Sequence, residues 1–189
     1  MTSKDYAPVF IYNEIMREKE IVEILKNNGV GVLATDTIYG LVGSALSKKA
    51  VSKIYKLRKR NTKKPMIVLI GSLKDLKIFG IKITDRLKNF LSKIWPGPIS
   101  VTLPCPAQKF SYLHRRTKTI AFRLPAKKEL IKLLRQTGPL VAPSANISGL
   151  KPATTIKEAK KYFGNKIDFY SDSGTIDAAP SILIEIKRL

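Results

Sequence analysis

Cysteine and histidine are almost absent from this sequence. Its 189 residues include one cysteine, Cys105, and one histidine, His114. A lone cysteine forms no internal disulfide, and one residue of each type excludes a Cys/His zinc site built by this chain alone. We expect a structural thiol at Cys105 and a surface position for His114, with no covalent catalysis by either.

Long apolar stretches are also missing. No run approaches the roughly 20 apolar residues of a membrane-spanning helix, and residues 1–10 lack the basic and apolar regions of a secretory signal. The 44% of hydrophobic residues still supports a packed core. No linker or repeat divides the chain, so we predict one cytoplasmic domain over residues 1–189 with no membrane partner.

Acidic residues are scarce through the middle of the chain. Residues 37–157 hold 26 Lys and Arg but only three Asp and Glu, whereas residues 1–36 and 158–189 are close to neutral. Because the excess lies in the body of the fold, we expect it to attract polyanions such as nucleotides or nucleic acid. A solvated lysine-rich surface is the alternative at this point.

Hydrophobic periodicity predicts helices interleaved with short strands. The predicted helices lie at 12–28, after Ser47, at 84–94, at 126–136 and from a Thr155/Glu158 capping box to Gly164. The predicted strands lie at 30–34, 66–70, 99–103, 120–124, 140–142 and 181–186. This alternation predicts an α/β fold, with one mixed sheet and helices packed on it.

Common nucleotide and nucleophile motifs are missing. The sequence has neither GxxxxGK[ST] nor GxSxG, and its Gly29-x-Gly31-x-x-Ala34 lies at a helix end and strand start, the wrong context for a dinucleotide loop. We therefore expect any chemistry to depend on positioning and charge.

Four polar segments stand where such chemistry could occur. Residues 35–41 follow the first predicted strand, residues 56–65 include six cations, and residues 142–149 carry hydroxyls and an amide. In the fourth segment, Arg123 lies in an apolar strand. An arginine there needs an anionic partner, and because acids are scarce nearby, an anionic ligand is the candidate.

Five short signatures in these regions occur in the order of a known family. They are T-D-T-x-Y-G-L at 35–41, a basic stretch with K-P-hydrophobic at 58–66, W-P-G-P at 95–98, R-x-P at 123–125 and P-S-A-N-x-S-G at 143–149. Together they resemble the YrdC-like family of threonylcarbamoyl-AMP synthases, in its short single-domain form. The resemblance covers about residues 21–181 and implies an open, twisted α/β sheet around a large positively charged cavity.

The resemblance also implies a reaction. L-Threonine, bicarbonate or CO2, and ATP, accompanied by Mg²⁺ with no protein ligand assigned, would give threonylcarbamoyl-adenylate and pyrophosphate by adenylyl transfer. A partner complex would then move the threonylcarbamoyl group to the adenosine beside the anticodon of tRNA. The implied partners are therefore the three substrates, tRNA and that transfer complex.

Residue roles follow from the resemblance position by position. The implied threonine-binding residues are Thr35, Arg123 (through the carboxylate), Ser144 and Ser181. The implied ATP-binding residues are Arg58, Arg60, Lys64, Asn146, Thr119 and Thr154, with the last two less directly matched. The implied catalytic set is Arg58, Arg60, Ser144 and Asn146.

Three departures from the family pattern accompany these assignments. Counted back from Lys64-Pro65, the family's lysine in K-x-R is Arg58 here, and the late family threonine after Ser181 is Ile182. The sequence also stops at Leu189, before the extension of longer relatives, so a nucleotide-closing arginine is expected to be missing unless Arg188 replaces it.

Two other interpretations remain open. A non-catalytic protein could use the same basic concavity for tRNA or double-stranded RNA, but it would not need Thr35, Arg123 or Ser144. A carbamoyl-adenylate enzyme that uses carbamoyl phosphate, as in the related domain of hydrogenase-maturation proteins, is the second. Such domains occur in much longer chains with zinc fingers.

Overall fold

One eight-stranded mixed sheet organises the protein. The structure, a computed structural model, describes residues 18–186. In chain order the strands are β1 Val30–Ala34, β2 Tyr39–Ser44, β3 Val68–Leu69, β4 Ile99–Pro104, β5 Thr119–Arg123, β6 Leu140–Val141, β7 Phe169–Tyr170 and β8 Ile182–Glu185. Their order across the sheet is β7-β1-β2-β6-β3-β5-β4-β8. The pairs β1–β7, β3–β5 and β4–β8 are parallel, and the other four pairs are antiparallel.

Six helices and three 3₁₀ segments connect these strands within residues 18–186. The helices are α1 Glu18–Lys26, α2 Lys48–Leu57, α3 Asp85–Leu91, α4 Ser111–His114, α5 Lys128–Thr137 and α6 Ile156–Phe163. The 3₁₀ segments are Leu73–Phe79, Gln108–Phe110 and Gly164–Lys166. The predicted mixed α/β fold is therefore confirmed, although the N-terminal part of the helix predicted at 12–28, and Arg188, lie outside the described residues.

Polar caps begin three of the helices where the sequence predicts them. The side chains of Ser47, Thr84 and Thr155 accept backbone N–H groups at the starts of α2, α3 and α6. The predicted Thr155/Glu158 capping box is only half formed. Thr155 Oγ1 accepts the backbone N–H of Glu158, but the Glu158 carboxylate accepts the backbone N–H of Thr154 rather than that of Thr155.

Both faces of the sheet are covered, by two apolar clusters. Along β1, Val30 and Val32 join the larger cluster and Leu33 joins the smaller one, as the two-residue period of a strand requires. Helices α1 and α5 supply the smaller cluster, and α2, α3 and α6 supply the larger one. The apolar run predicted as one strand at 66–70 is indeed buried between both clusters, but only β3 pairs within it.

Two strands, β2 and β7, have no counterpart among the predicted strands. Residues 35–41 follow β1 as predicted, but from Tyr39 onwards they belong to β2, a strand that the sequence does not predict and that pairs with β1. Strand β7 also lacks a predicted counterpart. Strand β2 pairs with its sequence neighbour β1 and with the distant β6, and β7 pairs with the distant β1, so their pairing rather than their local pattern defines them.

Within residues 18–186, no helix is long and apolar enough to cross a membrane.

Candidate functional site

A small pocket lies on the sheet face that carries the smaller cluster. Thr35 lies two residues beyond Leu33 of that cluster, Gly40 lies two before Val42, and Ala142 lies two beyond Leu140. The alternation of strand side chains therefore brings these positions to one face. The pocket has a volume of about 150 Å³. Its lining includes four of the predicted substrate residues: Thr35, Arg123, Ser144 and Ser181.

The turn between β1 and β2 fixes the Thr35 hydroxyl. Its Oγ1 donates to the Ile38 carbonyl at 2.7 Å and accepts the backbone N–H of Thr37 at 3.1 Å. The Arg123 guanidinium approaches the same turn, with Nη2 3.4 Å from Thr35 Oγ1 and Nη1 3.2 Å from Thr37 Oγ1. Short-range bonds thus place a hydroxyl pair beside the arginine.

Arg123 has a protein acid beside it, contrary to the sequence prediction. Its Nη2 lies 3.2 Å from Asp36 Oδ1, and both side chains are at least 94% buried. The other Asp36 oxygen accepts the backbone N–H of Ala126 at 3.1 Å. Burial lowers the pKa of Arg123, and Asp36 opposes that shift. The ion pair joins residues far apart in sequence, so the scarcity of acids near Arg123 did not reveal it.

Part of the Arg123 guanidinium remains without a protein partner. Among residues 18–186, its buried Nε has no hydrogen-bond partner. An unpaired buried N–H is costly, and a guanidinium edge is well suited to a carboxylate. Arg123 therefore offers the pocket a charge-assisted donor even though Asp36 already balances its charge.

The W-P-G-P motif fastens two walls of this pocket together. The Gly97 N–H donates to the Leu124 carbonyl at 2.9 Å, directly after Arg123, and the Ile182 N–H donates to the Pro98 carbonyl at 3.0 Å, directly after Ser181. The sequence identified this motif only as a signature, without a role. In the structure it joins the end of β5 to the start of β8.

Ser181 is held by a residue that the sequence did not single out. Its Oγ lies 3.1 Å from the Oγ of Ser100, which is fully buried in β4. Ser100 carries no motif signal, and only the parallel pairing of β4 with β8 brings it to Ser181.

Arg58 connects the pocket to the basic segment that follows α2. Its Nη2 donates to Ser144 Oγ at 3.1 Å and to Asn146 Oδ1 at 2.8 Å, and its Nε donates to the Asn146 carbonyl at 3.0 Å. Ser144 Oγ also donates to Asn146 Oδ1 at 2.7 Å. The predicted residues Arg58, Ser144 and Asn146 therefore form one network behind the pocket wall.

The pKa of Arg58 reflects this burial. Its side chain is 4% exposed, and burial followed by the charge of Arg60 lowers its pKa to about 10. Arg58 stays charged at neutral pH, while part of its hydrogen-bonding capacity is already used by protein groups.

Two more cations of the basic segment are anchored through the backbone. Arg60 Nη2 donates to the Pro65 carbonyl at 2.9 Å, and Tyr55 Oη donates to the Lys64 carbonyl at 2.9 Å. The Lys64 side chain is exposed. Within residues 18–186, none of Arg58, Arg60 and Lys64 pairs with a carboxylate. The segment is thus positively charged and without a neutralising acid.

Thr119 and Thr154 do not line the pocket. Thr119 begins β5 and donates to Thr117 Oγ1 at 3.2 Å, and the four-residue separation from Arg123 corresponds to about 13 Å along a strand. Thr154 donates through N–H and Oγ1 to Glu158, at 2.8 and 3.1 Å. Their role in ATP binding therefore stays a prediction.

The described part of the chain contains no cluster of three or more His, Cys, Asp or Glu side chains that could hold a metal ion. Mg²⁺ prefers oxygen ligands and is often bound largely through substrate phosphates, so no residue among 18–186 is assigned to it.

Known proteins match this chain in sequence over most of its length. A family model described as "Telomere recombination", for Sua5, YciO and YrdC proteins, matches residues 23–188. The threonylcarbamoyl-AMP synthase of Pyrococcus abyssi is 32% identical over 141 residues, which are 74% of this chain and 42% of that protein. The Bacillus subtilis synthase is 34% identical over 137 residues, 71% of this chain and 39% of that protein. The chain thus spans about two fifths of these two relatives.

A solved structure agrees with the sequence matches. The crystal structure of Pyrococcus abyssi Sua5 complexed with L-threonine superposes with a TM-score of 0.81 and 27% identity, covering 93% of this chain and 52% of that one.

Proposed function

The chain belongs to the family of Sua5, YciO and YrdC proteins, and from that premise we propose that it makes threonylcarbamoyl-AMP. The substrates would be L-threonine, bicarbonate or CO2, and ATP, and the second product would be pyrophosphate. Two matched relatives carry the name threonylcarbamoyl-AMP synthase, and the superposed Sua5 structure is a complex with L-threonine.

The position of Arg123 on the pocket wall is the observation that carries this proposal. Among residues 18–186, Arg123 is the one charged side chain that lines the pocket, and its Nε has no hydrogen-bond partner. A bound carboxylate would pair with the Arg123 guanidinium, and Thr35 and Ser181 would face the rest of a polar amino acid. The pocket's volume of about 150 Å³ matches that of an engineered cavity which holds benzene, about 150 Å³. The pocket therefore suits a small amino acid and is too small for ATP.

The nucleotide would accordingly lie outside the pocket, along the basic segment. Arg58 borders the pocket through its bond to Ser144. Arg60 is half-buried and Lys64 is exposed, so the three cations would lead from the pocket towards the surface. Because these cations have no acid partner in the described chain, their field favours a polyphosphate.

The proposed chemistry has two steps. The threonine nitrogen adds to CO2 and loses a proton to solvent, which gives an N-carboxylate. An oxygen of that carboxylate then attacks the α-phosphorus of ATP, and the bond from this phosphorus to the bridging oxygen breaks to release pyrophosphate. Two anions meet in the second step, so the cations lower the barrier by offsetting their repulsion. No side chain at the pocket is an evident general base, and the expected Mg²⁺ would arrive with ATP.

The product would then serve tRNA modification. We propose that a partner complex transfers the threonylcarbamoyl group to tRNA, and the excess of cations in residues 37–157 supports contact with RNA on this path. A purely RNA-binding role leaves the hydroxyl-lined pocket without a purpose.

The direct test measures pyrophosphate release from ATP and Mg²⁺, with L-threonine and bicarbonate added singly and together. We expect release only when both are present, and Arg135→Ala, an exposed change on α5, should behave as the wild type. Release without threonine, or none from a folded sample, would overturn the proposal. Salt-sensitive RNA binding without any turnover would favour the non-catalytic alternative.

A further inference from the structure

The loop between α4 and β5 holds three cations in an uncommon backbone conformation. Arg115, Arg116 and Lys118 have φ angles of 49°, 74° and 59°, a left-handed region that residues other than glycine rarely adopt. The loop lies outside the five signatures that carry the family resemblance. Its conformation therefore needs an explanation from its own contacts.

His114 holds this loop in place. Contrary to the surface position predicted from the sequence, His114 is 3% exposed. Its Nδ1 accepts the backbone N–H of Arg116 at 3.2 Å, and its carbonyl accepts the N–H and hydroxyl of Thr117 at 2.8 and 2.6 Å. Arg115 itself is the left-handed C-cap of α4, and the bonds to His114 fix the two residues that follow it.

The consequence is the placement of the Arg115 side chain. The guanidinium carbon lies 4.1 Å from the centre of the Tyr55 ring. Its buried Nε has no hydrogen-bond partner among residues 18–186. An arginine held against an aromatic face presents its N–H groups at the edge of the guanidinium plane, where an oxyanion can accept them.

Tyr55 links Arg115 to the basic segment. Tyr55 Oη and Arg60 Nε both donate to the Lys64 carbonyl, at 2.9 and 3.3 Å. Tyr55 also lies one helical turn before Arg58, at the end of α2. Arg115 and its neighbour Arg116, like the cations of the segment, form no ion pair with a carboxylate in the described chain. The loop after α4, through Arg115, and the basic segment, through the Lys64 carbonyl, therefore both contact Tyr55.

We propose that Arg115 is a further phosphate-binding residue, which contacts the β- and γ-phosphates of the nucleotide and hence the pyrophosphate that leaves. This inference rests on the proposed function. The α-phosphorus must meet the amino acid at the pocket, which Arg58 borders through Ser144. Arg115 lies beside Tyr55 instead and does not line the pocket, so it suits the distal end of the phosphate chain.

The test compares ligands that do and do not carry those phosphates. Calorimetric titration would measure the Kd of ATP, pyrophosphate and AMP for wild type, Arg115→Ala, Arg115→Lys and Arg116→Ala. We expect Arg115→Ala to weaken ATP and pyrophosphate at least tenfold and AMP less than twofold. Arg115→Lys should lie between this variant and the wild type, because lysine keeps the charge and loses the planar fork. Arg116→Ala should change all three less than twofold.

Two outcomes would overturn the inference: equal weakening of AMP and pyrophosphate by Arg115→Ala, or equal weakening of pyrophosphate by Arg115→Ala and Arg116→Ala. If Arg115→Ala does not fold, Arg115→Lys is compared with the wild type and with Arg116→Ala for the same three ligands. Failure of the proposed function is distinguishable, since it would show as wild-type protein that releases no pyrophosphate with threonine and bicarbonate.

Discussion

The arginines of the amino-acid pocket and of the basic segment differ in whether a carboxylate neutralises them. In the pocket, Arg123 is buried against Asp36 and bonded to two threonine hydroxyls. In the basic segment, Arg58 and Arg60 have no carboxylate partner among residues 18–186, and their bonds go to serine, asparagine and backbone oxygens. One site keeps its charge balanced before any ligand arrives, and the other keeps it uncompensated.

This contrast indicates two ways of recognising an anion. Where the charge is balanced, a ligand is selected by the geometry of the remaining arginine N–H groups and the hydroxyls around them, which favours specificity for a small zwitterion. Where the charge is uncompensated, the field itself attracts a polyphosphate and later offsets charge in the transition state. Substitutions and salt can therefore separate the effect of geometry from the effect of charge at each of the two sites.

The largest effect is expected from Arg123→Ala. Loss of the carboxylate donor should reduce threonine-dependent pyrophosphate release at least about 1000-fold, which corresponds to about 4 kcal/mol of transition-state binding. Removing one member of a buried ion pair should also lower the free energy of unfolding by about 3–5 kcal/mol, because Asp36 stays charged and buried. Steady-state kinetics and urea denaturation measure the two effects.

A double variant separates these two effects. Arg123→Ala combined with Asp36→Asn should recover much of the free energy of unfolding without recovering activity. Recovery of activity as well would show that Arg123 only supports the fold and does not bind substrate.

Arg58 should give the next largest effect. Arg58→Ala removes the donors to Ser144 and Asn146, and we expect kcat/KM for ATP to fall about 100-fold, equivalent to about 3 kcal/mol. Arg58→Lys restores the residue that the family pattern has, yet it should still lose about tenfold here, because lysine cannot span both partners. If Arg58→Lys equals the wild type, charge alone matters and the network does not.

Local patterns predicted a large part of the fold. Helix starts at Ser47, Thr84 and Thr155 could be predicted because a cap is a contact within three residues. Strand β2 could not, since it holds two glycines and is stabilised by pairing with β1 and β6. The site divides in the same way: Thr35 and Ser144 lie in motifs, whereas the Asp36–Arg123 and Ser100–Ser181 contacts depend on the folded sheet.

Salt should distinguish the two sites by roughly a factor of ten. Raising NaCl from about 0.05 M to about 0.5 M shortens the Debye length from more than about 10 Å to less than about 5 Å. The uncompensated segment should then bind ATP about tenfold more weakly, while threonine binding at the balanced pair should change less than about twofold. Titrations of each ligand, with added Mg²⁺ held constant, measure this. Equal salt dependence for both ligands would contradict the proposed division between the sites.

The smallest effect is expected at Ser100, which acts on the pocket only through Ser181. Ser100→Ala removes the hydroxyl 3.1 Å from Ser181 Oγ, so Ser181 should lose one fixed orientation and the KM for threonine should rise about threefold. The kcat and the KM for ATP should stay unchanged, since Ser100 contacts neither the pocket directly nor the basic segment. Loss of one buried hydrogen bond should cost less than about 1.5 kcal/mol of stability. Ser92→Ala, which removes an exposed hydroxyl bonded to the Asn89 carbonyl, is the matched control. A change confined to stability, with the threonine KM unaltered, would reduce Ser100 to a packing residue and leave Ser181 to be oriented by its backbone alone.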